Sequence, residues 1–171
     1  MVLFAMFAAL MFTSKIIMEA FPNIHLLGML TMLMTVVFRK KALIPLYLYV
    51  IVQGLNAGFA PWWVPYLYVW LPLWGVAMLL PQSLPRRVAI PLYMGVCALH
   101  GLCFGALYAP FQALAFGLDF RGMLAWIAAG IPFDLIHAAG NFAIGALVVP
   151  LSGVLSRLES ASPFRAGRSP R

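Results

Sequence analysis

Long apolar runs broken by short polar punctuation dominate the chain. Charge-free stretches extend from Ala42 to Pro85 and from Val88 to Leu118, each too long for one buried core helix. A bilayer-spanning helix needs about 20 apolar residues, and only helices or closed barrels satisfy the backbone in hydrocarbon. Barrel strands alternate apolar and polar positions; these runs do not. Cutting at charges and proline clusters predicts six spanning helices: Val2–Met18, His25–Phe38, Ala42–Ala60, Trp62–Leu80, Val88–Leu107 and Pro132–Leu155. The expected fold is therefore an all-α integral membrane protein, multi-pass, with a single six-helix domain over residues 1–155.

The polar residues between these runs set the expected topology. With both termini cytoplasmic, Arg39, Lys40, Lys41, Arg86, Arg87, Arg157, Arg165, Arg168 and Arg171 fall inside, nine of the 11 Lys and Arg residues. The positive-inside rule favours this arrangement over its inverse, which would keep only Lys15 and Arg121 inside. Trp62, Trp63 and Tyr66 then lie at the outer interface, where amphipathic rings anchor helices. The stretch 108–131 is apolar but interrupted by Pro110, Gly117, Asp119 and Arg121. It reads as an outer loop with a short or re-entrant helix leading into Pro132 at the first turn of the last span, with one long helix kinked at Pro132 as the alternative. Residues 156–171, rich in Ser, Pro and Arg, read as a disordered basic cytosolic tail.

Polar groups inside hydrocarbon are costly and usually face a cavity, a partner or the bundle interior. Asp134, His137 and Asn141 are spaced i, i+3, i+7, within a stripe of roughly 60° on one helix face. Gln53 and Asn56 are three apart in the third span, and His100 lies in the fifth. At about 1.5 Å per residue, Asn56 and His100 rise roughly 20 Å from Lys41 and Arg87, past the midplane of the bilayer. Three spans thus place polar groups at one depth in the outer half, as an outward-opening pocket would. The plain alternatives are a packing role for His100, interhelical hydrogen bonding for Gln53 and Asn56, and a first-turn carboxylate after Pro132 for Asp134. Trp70 and Trp74 read as core or lipid-facing aromatics. Ala5 with Ala9, and Gly101 with Gly105, fit the small-xxx-small pattern of close helix contacts.

Composition agrees: 64% of the 171 residues are hydrophobic and 9% charged, against about a quarter charged in soluble domains. The formal charge of +7 is spread between apolar runs, so it reports topology and not a nucleic-acid surface. Cys97 and Cys103 form no disulfide framework or metal motif. The first fourteen residues carry no Lys or Arg, so a cleaved signal peptide is not expected. No Walker motif is present, so the chain is not itself an ATPase. No cofactor is implied.

The run GIPFDLIHAAGNFAIGALVVPL from Gly130, with FPNIHLLGMLTMLMTVVFRKKAL from Phe21, resembles the substrate-binding S component of energy-coupling factor (ECF) vitamin transporters. The likeness rests on the six-span layout, Ala5 with Ala9, Pro22 with Asn23, and the segment from Pro132 to His137. It implies a protein of the prokaryotic plasma membrane that captures a vitamin or precursor from outside. Its implied partners are a transmembrane coupling subunit and two cytosolic ATPases. The coupling contact carries over to Ala5 and Ala9, and the substrate site to Asp134, His137 and Asn141, with His100 and the Lys15–Asn23 loop as further candidates. Relatives often carry Lys where His137 stands, so the ligand's charge is left open.

Two other classes compete with this reading. An intramembrane enzyme would use Asp134 and His137 as an acid/base pair, but no nucleophile or metal cluster accompanies them, so catalysis is not expected. A scaffold subunit would use the polar stripe only to join helices. The pocket candidates mix one acid, His and amides with aromatics, which suits a small heteroaromatic better than a polyanion. The outer segments around Trp63 and Gln112 complete the candidate set.

Overall fold

The computed structural model describes residues 1–21 and 23–161, with side chains to Leu158. Eight α-helices account for most of this length: α1 Val2–Ile17, α2 Leu27–Phe38, α3 Leu43–Ala57, α4 Leu71–Leu79, α5 Arg86–Leu102, α6 Phe104–Phe116, α7 Phe120–Gly145 and α8 Val148–Ala161. Short 3-10 helices cover Met18–Ala20, Arg39–Ala42 and Pro61–Leu67, and no strand occurs among the described residues. Four helical segments are long and apolar enough to cross a bilayer: Val2–Ala20, Pro61–Leu79, Arg86–Phe116 and Phe120–Gly145. Four such segments in one short chain mark a multi-pass membrane protein.

α2 is the centre of the bundle. Every residue from Leu27 to Thr35 is buried, and the helix touches α1, α4, α5, α7 and α8. A helix enclosed on all sides needs no polar face, and its Met29, Met32 and Met34 belong to one buried core with Leu46, Tyr49 and Leu73. α2 has 12 residues and α3 has 15, so they extend only about 18 and 22 Å.

Expectation and structure part along residues 104–155. Residues 108–116 belong to α6, which follows α5 after a break at Cys103, and α7 begins at Phe120. The outer loop expected over 108–131 therefore shrinks to Gly117, Leu118 and Asp119. Those residues are helix punctuation. Gly117 takes a left-handed conformation, and the Leu118 amide donates to the Ala113 carbonyl, closing α6. Asp119 caps α7 by accepting from the Gly122 amide at 2.7 Å. Pro132 lies inside α7 and does not start a helix.

The expected final span Pro132–Leu155 is also divided. Ala146 and Leu147 form a tightened turn, bonding to Ala143 and Ile144, before α8. Pro150 lacks the amide that would continue the α7 ladder and crowds the turn before it. α8 runs to Ala161, so the start of the expected tail is helical; residues 162–171 lie outside the described residues. Pro22 does too.

Three of the arginines sit where elements meet. Arg39 donates to the carbonyls of Ala77, at 3.3 Å, and Met78 at the end of α4. Arg86 and Arg157 line one recess between α5 and α8.

Candidate functional site

α5, α6 and α7 meet at backbone distance because glycine removes side chains where they cross. A Cβ on Gly101 would stand 2.9 Å from the His137 carbonyl carbon and oxygen, and one on Gly105 would overlap the Asp134 carboxylate. The small-residue pair at 101 and 105 is therefore the surface against which the polar face of α7 packs.

All three predicted residues of that face are buried: Asp134 is 7% exposed, His137 3% and Asn141 1%. The Asp134 carboxylate accepts from the Gly105 amide through both oxygens, at 3.0 and 3.2 Å. This amide belongs to the first turn of α6, where unpaired N–H groups favour an anion. The alternative for Asp134, a first-turn carboxylate of its own helix, does not hold, because α7 begins at Phe120; the helix N-terminus beside it is that of α6. Asn141 lies between Gly28 and Gly101. No hydrogen bond joins Asp134 to His137 among the described residues.

The three histidines of the chain converge. The His25 and His137 rings are 4.6 Å apart between centroids, His137 and Phe104 4.8 Å, and Trp70 lies 5.6 Å from His100 and 6.2 Å from His25. Two aromatic ladders with a spacing of four residues carry this cluster. Trp62, Tyr66 and Trp70 follow one another at 5.6 and 5.9 Å, and His100, Phe104 and Tyr108 at 6.0 and 5.9 Å.

The His100 Nε2 lies 2.8 Å from the Val69 carbonyl. A carbonyl only accepts, so Nε2 carries the proton and Nδ1 of the neutral ring is an acceptor. His25 Nδ1, His100 Nδ1, His137 Nε2, Asn141 Nδ2 and Trp70 Nε1 are buried without a hydrogen-bond partner. Buried polar atoms are nearly always paired, so five unpaired nitrogens in one region are the chemical signature of this site. Among the described residues no group of three or more His, Cys, Asp or Glu side chains is arranged to hold a metal ion.

Beside this cluster lies a recess of about 400 Å³ between the Pro61–Leu67 segment, α6 and α7, lined by Trp62, Tyr66, Phe104, Tyr108, Trp126 and Asp134 among others. The Tyr108 hydroxyl donates to the Trp62 carbonyl, tying α6 to the 61–67 segment.

The other expected site residues lie apart. Asn56 is exposed at the end of α3, and Gln53 is buried with its Oε1 unpaired on that helix, whose main neighbours are α1 and the segments flanking it. Trp63 turns away from the recess and donates to the Val50 carbonyl at 2.8 Å. Gln112 is half-buried on α6. Asn23 is half-buried with φ 61°, a conformation asparagine tolerates. Its neighbours Ile24 and His25 lean on α7, at Gly140 and His137. Ala5 and Ala9 lie on the exposed side of α1, opposite the buried Ala8, Met11 and Ser14.

Sequence reasoning missed Tyr108, Phe104, Trp126 and His25 as site residues, and treated Trp62 and Tyr66 only as interface anchors. The repeated spacing of four along 62–70 and 100–108 is the signal that identifies Trp62, Tyr66, Phe104 and Tyr108; Trp126 and His25 lie on neither ladder and have no such signal. No protein family, curated protein or solved structure matches this chain.

Proposed function

We propose that the chain is the substrate-capture subunit of an ECF-type importer. In this reading it takes a vitamin or related micronutrient from outside a prokaryotic cell and delivers it with a transmembrane coupling subunit and two cytosolic ATPases. The observation that carries the reading is the concentration of Asp134 and five unpaired buried nitrogens next to an aromatic-lined recess of about 400 Å³. Ligand sites combine mostly apolar walls with a few convergent polar groups, and this region has that composition.

In this reading six segments span, the last of them α7, with both termini cytoplasmic. The contact of Arg39 with the end of α4 and the shared recess of Arg86 and Arg157 support it. If these basic segments share one end, α2 and α3 each traverse the bundle despite their length. The loop bearing Asn23 and His25 then lies at the opposite, outer end, over the site.

One observation favours a second reading. The bond from the Gly105 amide to Asp134 joins α6 to α7, which is what a scaffold subunit would need from this carboxylate.

Purification of the tagged chain from its native membranes in mild detergent tests the proposal. A coupling membrane protein and two ATPases should copurify, with a small molecule bound to the chain itself. Recovery of the chain with neither ATPases nor a small molecule would refute it. A stable complex with other membrane proteins and no small molecule would favour the scaffold.

A further inference from the structure

The recess beside α7 has one acid and no base. Its lining contains Asp134 but neither Lys nor Arg, and the only hydrogen-bond donor to the carboxylate among the described residues is the Gly105 amide. A buried carboxylate with no cation beside it is costly unless a positive group completes it. The partial charge at the start of α6 supplies some of that, and a bound proton or a cationic ligand can supply the rest.

The walls point to the same chemistry. The Trp62 and Tyr66 rings meet edge to face, 5.6 Å apart at 89°, and Tyr108 and Trp126 stack 6.5 Å apart at 17°. All four line the recess together with Phe104. Aromatic faces carry negative electrostatic potential, and cages of such rings bind organic cations. A hard metal cation would need six or more oxygens, and the lining offers one carboxylate and two phenols. An anion would meet the carboxylate and the ring faces with no basic side chain to offset them.

We propose that the recess binds a small organic cation, its positive head set between the Asp134 carboxylate and the faces of Trp62, Tyr66, Tyr108 and Trp126. The inference rests on the capture function proposed above and specifies the charge of its substrate.

Calorimetric titration of the full chain in nanodiscs tests this with three probes of one shape and different charge. They are choline, its uncharged isostere 3,3-dimethylbutanol, and the anion 3,3-dimethylbutanoate. Choline should bind at least about tenfold more tightly than the uncharged probe, as a desolvated cation–π site with a carboxylate requires, and the anion should bind least. Asp134→Asn retains an oxygen to accept from Gly105 and should remove most of the preference for choline while leaving affinity for 3,3-dimethylbutanol within about twofold. Trp126→Leu should weaken choline without lowering the melting temperature, because Trp126 is only half-buried. Equal affinity for the three probes, preference for the anion, no binding of any probe, or choline binding unchanged in both variants would each overturn the cation assignment. Capture itself is judged separately. A neutral or anionic molecule that copurifies with wild type and is lost in Trp126→Leu would preserve capture while refuting the cation.

Discussion

Replacing Gly101 with alanine probes the packing on which the site depends. The added Cβ would stand 2.9 Å from the His137 carbonyl carbon and oxygen and 2.9 Å from the Asn141 Nδ2. Backbone atoms cannot rotate away as a side chain can, so α5 and α7 must separate by several tenths of an ångström. Overpacking of this kind costs about 1 to 3 kcal/mol, while alanine recovers roughly 0.5 to 1 kcal/mol over glycine within a helix. The expected net loss is therefore about 1 to 2 kcal/mol. Gly95 on the same helix is the control, since a Cβ there meets nothing within 4 Å; Gly95→Ala should be neutral or stabilising by up to about 1 kcal/mol. At roughly 2 to 4 °C per kcal/mol for a chain of this size, thermal unfolding in one detergent should place Gly101→Ala several degrees below wild type and Gly95→Ala at or above it. The separation of α5 from α7 would also displace His137 and Asn141, so ligand affinity should fall in Gly101→Ala alone. Equal melting temperatures for the two variants would refute the close approach of these helices.

Loss of the α7 cap in Asp119→Ala should cost about 1 kcal/mol, read as a lower melting temperature, with Asp119→Asn nearly silent. Cysteines placed at Lys40 or Arg86 in a chain freed of Cys97 and Cys103 should resist an impermeant thiol reagent applied from outside; labelling there would invert the proposed topology. Ala5→Leu with Ala9→Leu adds bulk to the exposed side of α1 and should leave melting temperature and ligand binding unchanged while reducing recovery of the coupling subunit. Full recovery and uptake in the double variant would remove that assignment.

The polar face of α7 was legible because a period of 3.6 residues translates spacing directly into direction. Asp134, His137 and Asn141 do share a buried face. The small pair Gly101 and Gly105 was legible for a similar reason, as close packing requires the absence of a side chain. Depth along the bilayer was a poorer guide. Asn56 and His100 were placed at one level by counting residues, yet Asn56 is exposed and His100 is buried against Trp70, because residue counting gives height and not azimuth. Gly117 and Asp119 suggest a loop in the sequence, although a glycine that closes one helix and an aspartate that opens the next need only one residue between them. His25 joined the cluster through a turn near Asn23, and long-range contacts of that kind leave no periodic trace.

The central claim is that the region around Asp134 holds a small molecule, and native mass spectrometry of the chain released from its own membranes tests it most directly. Wild type should carry one small molecule of defined mass per chain. Removal of one partner from a buried polar contact costs about 1 to 3 kcal/mol, equivalent to roughly five- to hundredfold in affinity, so Asp134→Asn and Asn141→Ala should each retain much less of that molecule while still folding. Wild type recovered without any bound molecule, or retention of the same molecule undiminished in both variants, would contradict the account.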